Sequence, residues 1–348
     1  MRSLDFSRYA LMVYVAAAML AACGGSQPPI GAPGATAQSS LPATCNVGKS
    51  WMLPEAKGED LLYAPGWSRA SGFLVAVFSY PRGKLVGTLT FGCYSNTAGV
   101  CFDASGDVFI PVNFESKYAG SDIYEYARGG TEPIEMLTDS GLAWGCAVDS
   151  TTGNLAVANV EPYGGGYPGN VAIYPDAQGT PTYYTDTKLD FPLYCTYDDE
   201  GNLFVSADDP DIIGELSEGS GSFENVTVNE DIDAASLQWD DGHLVAASYG
   251  GGSYSDTQNV YQVQISGASG TVISQTVLQI RSRHKVNRRL EGAQFWVQGS
   301  VIIGPNFSKG RPINAISFWP YPKGGKPTRN LMAQGISFFR GVTVDLAK

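Results

Sequence analysis

The fold is decided by a short stretch that the chain writes twice: residues 153–159 read GNLAVAN, and residues 201–208 read GNLFVSAD. In each copy a run ending in Asp precedes the glycine, and apolar residues rich in Val and Leu follow it. A strand, a tight turn with Gly and Asn or Asp, and a second apolar strand form the pattern of a β-hairpin. The repetition predicts two copies of one structural unit.

The same hairpin pattern occurs in other parts of the chain. The copies read FDASGDVFIPVN (102–113), VDSTTGNLAVAN (148–159), YDDEGNLFVSAD (197–208), WDDGHLVAAS (239–248) and the degenerate WVQGSVIIGPN (296–306). An aromatic third strand and a more polar fourth strand follow most copies, as in QNVYQVQISG after the fourth. A spacing of roughly 40 to 50 residues with several short strands per unit is typical of β-propeller blades.

The two ends of the folded region complete each other. Three strands of a unit that lacks its first strand are supplied near the N-terminal end by LLYAPGW, SGFLVAVFSYPRGK and LVGTLT. A first strand without the other three strands of its unit is supplied at 341–345 by GVTVD. We therefore predict an all-β, six-bladed β-propeller with four antiparallel strands per blade, closed by the C-terminal strand pairing with the N-terminal strands. Two packed β-sandwiches, the alternative, leave this complementarity unexplained.

The repeat resembles that of the NHL-repeat and gluconolactonase-type six-bladed propellers, which share the element DxxGN[LV]xV. The resemblance covers roughly residues 58 to 348 and also extends to uncharacterised exported bacterial lipoproteins. It implies the fold and leaves the function open, because this fold serves lactonases, lyases, ligand binders and scaffolds.

The N-terminal residues predict export and lipidation. Arg2 and Arg8 precede an apolar run too short to span a bilayer, and Leu20-Ala21-Ala22-Cys23 matches the bacterial lipobox. We expect a signal peptide over 1–22, an acylated Cys23, a flexible tether rich in Gly, Pro, Ser and Ala over 23–50, and the propeller over 51–348. Gly24, instead of Asp, follows Cys23, and the resemblance to lipoproteins of enteric-type sorting implies the outer membrane over the inner one.

The charge of the chain bears on its partners. The full sequence carries 22 basic and 34 acidic side chains, a formal net charge of −12. This balance argues against a nucleic-acid partner, since nucleic-acid binding depends on basic surfaces. The remaining expected partners are the membrane, through the lipid, and a small molecule, a glycan or an envelope protein.

The cysteines allow two disulfide pairings. In an exported chain disulfides persist, and the chain holds 6 cysteines, one of them Cys23. Counted from the strand-ending Asp, Cys101 and Cys146 point toward each other from adjacent blades, whereas Cys146 and Cys195 point the same way around the ring. Cys93 competes with Cys146 for Cys101 across a short turn.

A polar residue ends the second strand of each hairpin and predicts a ring at one channel mouth. The residues are Asn113, Asn159, Asp208, Tyr249 and Asn306. Their oxygens suit a hard cation such as calcium. The other reading is that Asn and Asp simply end strands and begin turns.

Evidence for catalysis is weaker. Glu291-Gly292-Ala293-Gln294-Phe295-Trp296 is similar to the EGPxW element that supplies gluconolactonase-type enzymes with a metal-binding Glu, but Ala293 replaces the Pro and the other anchors lack a clear match. His243 and His284 fall in a turn and a basic loop, so neither provides a general base on an inner strand. A metal-dependent, lactonase-like hydrolase is therefore the alternative function.

A basic run is the remaining candidate site. Its cationic residues could recognise a phosphate, lipopolysaccharide or an acidic glycan, or form a solvated loop. They are Arg281, Arg283, Lys285, Arg288 and Arg289. Taken together, the sequence predicts an exported, lipid-anchored propeller that acts as a binding or scaffold module.

Overall fold

The computed structural model describes residues 49–92, 95–96, 99–114, 120–208, 211–248, 257–280, 293–306 and 315–348. The chain divides into a segment, residues 1–41, which lies outside this description, and a compact unit from Pro42 to Lys348. The signal peptide, Cys23 and nearly all of the tether therefore lie outside the described residues. Within them, no helix has the length and apolar character needed to cross a membrane.

The described strands form five hydrogen-bonded sheets. The first contains β1 (Trp51–Met52), β2 (Leu61–Ser68), β3 (Gly72–Ser79), β4 (Leu85–Gly92), β26 (Phe338–Phe339) and β27 (Thr343–Asp345). The second contains β5 (Ser95–Asn96), β6 (Cys101–Phe102), β7 (Val108–Phe114), β8 (Ser121–Tyr126) and β9 (Glu135–Asp139). The third contains β10 (Leu142–Val148), β11 (Leu155–Glu161), β12 (Asn170–Tyr174) and β13 (Thr182–Tyr184).

The fourth sheet has eight strands and the fifth has four. The fourth contains β14 (Pro192–Tyr197), β15 (Leu203–Asp208), β16 (Asp211–Leu216), β17 (Glu224–Val228), β18 (Ala234–Asp240), β19 (His243–Ser248), β20 (Thr257–Ser266) and β21 (Ser269–Gln279). The fifth contains β22 (Trp296–Gln298), β23 (Val301–Asn306), β24 (Ala315–Pro320) and β25 (Arg329–Leu331). Short 3-10 turns span Pro54–Gly58 and Pro175–Ala177.

The repeated stretches form the predicted hairpins. β10 pairs antiparallel with β11, and β14 pairs in the same way with β15. In the second hairpin the Asp198 carboxylate accepts hydrogen bonds from the backbone N–H groups of Glu200 at 2.9 Å and Asn202 at 2.8 Å. Gly201 has φ +87°, a conformation that costs a residue with a Cβ atom free energy. The repeated Asp and Gly are therefore turn-forming residues.

The eight-stranded sheet departs from the predicted pattern of separate four-stranded units. It consists of two meanders, β14 to β17 and β18 to β21, joined by a short parallel pairing of Thr227 with Ser269 and Val228 with Gly270. The Asn229 side chain extends the join by accepting a hydrogen bond of 2.8 Å from the backbone N–H of Val272. Joining two outer strands covers edges that would otherwise expose unpaired backbone groups.

The chain ends meet in the first sheet. β27 pairs antiparallel with β2, placing Asp345 beside Leu61 and Val344 beside Leu62, which is the pairing that the complementary end fragments predict. Arg128 of the second sheet donates hydrogen bonds to the Asp345 carboxylate and, at 2.6 Å, to the Leu346 carbonyl. The first sheet also gains β1, an outer strand on β4 that the repeat does not predict.

The core lies between successive sheets. One cluster joins the second and third sheets and contains Phe109, Ile123, Leu155 and Tyr174, all buried. Similar clusters join the third sheet to the fourth, the fifth to the first and the first to the second. Each sheet thus buries both of its faces against neighbours, which produces an all-β, propeller-like arrangement.

Candidate binding cavity between the inner strands

The first strand of each meander lies beside the first strand of the next, and we call these the inner strands. They are β6, β10, β14, β18, β22 and β27. Hydrogen bonds join successive inner strands or the residues next to them. The backbone N–H of Gly99, just before β6, donates to the Trp144 carbonyl on β10 at 2.8 Å, and that of Trp239 on β18 donates to the Thr196 hydroxyl on β14 at 3.0 Å. The inner strands thereby enclose a common space.

A cavity of about 290 Å³ occupies this space beside the turns that follow the strand-ending Asp residues. Four aromatic side chains line it, namely Phe102, Tyr197, Trp239 and Trp296. The described residues lining it also include three carboxylates, Asp103, Asp198 and Asp199, and no Lys, Arg or His. The cavity therefore combines aromatic surface with negative charge.

Trp239 is held in place by three contacts. Its ring stacks on Phe204 with 5.8 Å between centroids and an interplanar angle of 7°. Its indole N–H donates to the Asp199 carboxylate at 2.9 Å, and its backbone N–H donates to Thr196. Fixed in this way, the ring can meet a ligand without losing further conformational freedom.

Trp296 begins β22 and is also oriented by its neighbours. Its ring centroid lies 5.5 Å from that of Phe102, and its indole N–H donates to the Gln298 side chain at 3.2 Å. Gln238 on β18 joins the fourth sheet to β22 of the fifth, since its side-chain amide donates to the Val297 carbonyl at 3.0 Å and accepts from the Val297 N–H at 2.6 Å.

The floor of the cavity is formed by Gln294, which is 7% exposed. Its side-chain amide accepts from the Val100 N–H at 3.1 Å and donates to the Val100 carbonyl at 2.9 Å, as a paired strand would. Gln294 belongs to the element that resembles the lactonase motif. In this structure its hydrogen bonds to Val100 join the segment before β22 of the fifth sheet to the segment before β6 of the second sheet.

Tyr194 lies beyond the floor and is 2% exposed. Its ring fits against two glycines: a Cβ atom at Gly145 would lie 2.7 Å from the Tyr194 Cδ1, and one at Gly99 would lie 3.3 Å from its Cε1. Burial raises the pKa of the Tyr194 hydroxyl, so this group stays neutral. Tyr194 thus separates the cavity from the opposite ends of the inner strands.

A disulfide joins Cys101 and Cys146 in the cavity wall, with 5.7 Å between their Cα atoms. Strand parity makes this pairing possible, and Cys93, which competes with Cys146 for Cys101 across a short turn, lies outside the described residues. Cys195 occupies the equivalent position to Cys146 one unit later and is a buried free thiol. Burial raises the pKa of this thiol to about 12, which keeps it protonated and unreactive.

Three residues of the predicted polar ring are buried on second strands, where their side chains bind protein groups. The Asn113 amide donates to the Ala143 carbonyl at 2.6 Å. The Asn159 amide donates to Asp139 at 3.0 Å, and the Asn306 amide donates to the Ser317 hydroxyl at 3.0 Å. In the structure these amides connect strands and sheets. Asp208 is exposed at the end of β15.

The other predicted site residues lie outside the described residues. They are Tyr249, Glu291, Arg281, Arg283, Lys285, Arg288 and Arg289. Within the described ranges, no group of three or more His, Cys, Asp or Glu side chains is placed to hold a metal ion. The calcium site, the anion-binding loop and the lactonase-like site therefore stay predictions.

Sequence reasoning missed the aromatic residues of the cavity, although the repeat contains a signal for them. Phe102, Tyr197 and Trp239 each come immediately before a strand-ending Asp, whereas the third unit has Val148 there. This position on an inner strand faces the cavity. An alignment of the copies on their Asp residues, instead of on their glycines, places these three aromatic residues at one position.

Comparisons with solved structures identify the class of fold. The chain is similar to a chain in the crystal structure of the nidogen/laminin complex, with a TM-score of 0.57 and 13% identity over 83% of this chain and 99% of that one. It is also similar to a protein of unknown function from Bacteroides caccae, with a TM-score of 0.53 and 12% identity over 82% of this chain and 98% of that one. At this identity the likeness shows the fold alone: the chain is a β-propeller. No protein-family model and no curated protein matches it.

Proposed function

We propose that this protein is a lipid-anchored, six-bladed β-propeller of the bacterial envelope that binds a small organic cation in the cavity between its inner strands. The observation that carries the proposal is the lining of that cavity, which combines four aromatic rings and three carboxylates and lacks basic residues among the described positions. Aromatic faces and carboxylates both attract cations, and their effects add where water is partly excluded.

The ligand class follows from size and charge. A cavity of about 290 Å³ is at the small end of the range for ligand pockets, so it suits a compact amine or quaternary ammonium group. The net charge of −12 adds a long-range attraction for cations. The Trp239 ring, already stacked on Phe204 on one face, offers its other face as a rigid surface for such a group.

The anchor and the blade number belong to the same proposal. The lipobox supports acylation of Cys23, and incorporation of radiolabelled palmitate that is lost in Cys23→Ser would test it. Six blades are supported by counting the eight-stranded sheet as two meanders and by the pairing of β27 with β2. The propeller fold is consistent with a binding or scaffold module.

Calorimetric titration with choline tests the ligand class, with 3,3-dimethylbutan-1-ol as the uncharged molecule of the same shape. We expect choline to bind and the alcohol to bind at least about tenfold more weakly, since the cation–π and carboxylate attractions need the positive charge. Trp239→Ala removes the stacked ring, and Asp199→Asn removes a negative charge while retaining an oxygen for the Trp239 indole. Both should weaken choline binding.

Trp51→Ala is the matched control, because Trp51 is 42% exposed on β1 and does not line the cavity. It should leave choline binding unchanged. Equal binding of choline and the alcohol would overturn the cationic class, and absence of choline binding to the unmodified protein would remove the basis of the proposal.

A further inference from the structure

Arg340 lies between β26 and β27, at the ends of the inner strands opposite to the cavity. Its guanidinium carbon lies 5.4 Å from the centroid of the Phe338 ring and 5.8 Å from that of Trp144. The backbone of Arg340 is fixed, because its N–H donates to the Pro65 carbonyl at 2.8 Å and its carbonyl accepts from the Gln294 N–H at 3.2 Å. A cationic group is thus held among aromatic rings at a defined place.

The guanidinium has no anionic partner in the described part of the chain. The ion pairs found there join Arg82 to Glu59, Lys84 to Glu55 and Arg128 to Asp345. The Nε atom of Arg340 is buried without a hydrogen-bond partner. Burial lowers the pKa of this guanidinium, with a smaller opposing effect from Tyr194, so the charge is partly removed from water without compensation.

The neighbouring Trp144 places its ring beside this guanidinium. Its indole N–H is buried and lies close to the Tyr194 hydroxyl, whose pKa it lowers against the larger effect of burial. A guanidinium without an anionic partner among the described residues therefore lies beside the Trp144 ring.

Burying the guanidinium Nε atom without an acceptor costs free energy, and cation–π contacts recover only part of it. We propose that Arg340, Trp144 and Phe338 form a binding site for a small organic anion that carries a carboxylate group. A guanidinium presents parallel N–H donors that match the two oxygens of a carboxylate. One positive charge flanked by two aromatic rings suits a monoanion with a planar or apolar body better than it suits a phosphate dianion.

The site is separate from the proposed cation cavity. Tyr194 and Gln294 lie between the two, and both are buried. The cavity is lined by carboxylates, whereas this site is centred on a guanidinium. The cavity and the Arg340 site can therefore be tested independently, the cavity with a cationic ligand and the Arg340 site with an anionic one.

Titration with benzoate, benzamide and inorganic phosphate tests the site, with the fluorescence of the tryptophans and the heat of binding as readouts. We expect benzoate to bind and benzamide and phosphate to bind at least about tenfold more weakly, because they lack the charge or the shape. Arg340→Met should weaken benzoate binding by about tenfold or more, and Arg340→Lys should weaken it less, since a lysine keeps the charge and loses the paired donors.

Arg329→Met is the matched control. Arg329 also lies over an aromatic ring, 3.9 Å from the Phe318 centroid, but its guanidinium donates a hydrogen bond to the Pro81 carbonyl. It should leave benzoate binding within about twofold of the unmodified protein. A binding site, unlike a structural contact, also predicts that Arg340→Met does not lower the melting temperature, because it removes a buried charge that lacks a partner.

The proposal is overturned if the unmodified protein does not bind benzoate, if phosphate binds as tightly as benzoate, or if Arg340→Met and Arg340→Lys both bind benzoate as well as the unmodified protein. It is also overturned if Arg340→Met lowers the melting temperature by more than about 5 °C, since Arg340 would then be needed for the fold itself.

Discussion

The two ends of the inner strands offer opposite chemistry on one backbone framework. Along β10, Trp144 contacts Arg340 at one end, while Cys146 to Val148 line the acidic cavity toward the other. Along β14, Tyr194 separates the ends and Tyr197 lines the cavity. A few residues of strand therefore change the surroundings from cationic to anionic, although both ends are rich in aromatic rings.

The difference shows where a repeated fold acquires function. The repeated Asp and Gly are used in turns, and the repeated apolar residues are used in the clusters between sheets. Positions at which the copies differ, such as Phe102, Val148, Tyr197 and Trp239, line the cavity together with two of the repeated Asp residues, Asp103 and Asp198. The scaffold is conserved between units, and the chemistry is set by their divergence.

Tyr194→Ala should have the largest effect, because it removes the barrier between the two ends. We expect a loss of about 3 to 5 kcal/mol in the free energy of unfolding, as for other large side chains removed from a core. Tyr194→Phe keeps the ring against Gly99 and Gly145 and should cost about 1 kcal/mol. Urea unfolding of both variants measures the two values, and a loss below 1 kcal/mol for Tyr194→Ala would contradict a packed barrier.

The disulfide in the cavity wall should have the next largest effect. It closes a sequence separation of 45 residues, so Cys146→Ala should lower the free energy of unfolding by about 2 to 4 kcal/mol. Cys195→Ala is the control, since the Sγ atoms of Cys146 and Cys195 lie 3.7 and 3.8 Å from equivalent carbonyls of the preceding unit. Equal losses in the two variants under oxidising conditions would show that the disulfide adds nothing.

A second disulfide can be introduced into the same cavity wall. Ala147 comes two residues before Asp149, as Cys101 comes two before Asp103, and Ala147 packs against the cluster that contains Cys195. We expect Ala147→Cys to form a second disulfide with Cys195 and to add up to about 3 kcal/mol, less any strain. Mass spectrometry of the non-reduced protein checks the bond, and a free Cys195 in that variant would show that the two units are not equivalent.

Glu125 on β8 should show the smallest effect, and it reports on the acidic surroundings of the cavity end. Burial and then the charges of Asp107, Glu135 and Asp103 raise its pKa to about 7. Between the ordinary value of 4.5 and about 7, the folded protein binds more protons than the unfolded chain, so its stability falls as pH rises through this window.

Glu125→Gln removes this titration. The melting temperature of this variant should therefore rise relative to that of the unmodified protein as the pH increases from 4 to 8. Glu200→Gln, at an exposed turn position, is the control. Parallel pH profiles for Glu125→Gln and the unmodified protein would show that Glu125 is not perturbed.

The hairpins, the pairing of β27 with β2 and the Cys101–Cys146 geometry follow from local rules of turn chemistry, strand parity and complementary ends. The join between β17 and β21 does not, because it depends on outer strands that meet only after folding. Arg340 was missed for a similar reason. It lies outside the repeated motif, and the sequence does not reveal that Trp144 and Phe338 flank it.

A crossed titration shows whether the two ends are separate sites: choline and benzoate are each titrated against the unmodified protein, Trp239→Ala and Arg340→Met. We expect Trp239→Ala to lose choline binding and retain benzoate binding, and Arg340→Met to lose benzoate binding and retain choline binding. If either variant loses both ligands, or if neither loses the ligand assigned to it, the two ends are not separate sites of opposite charge.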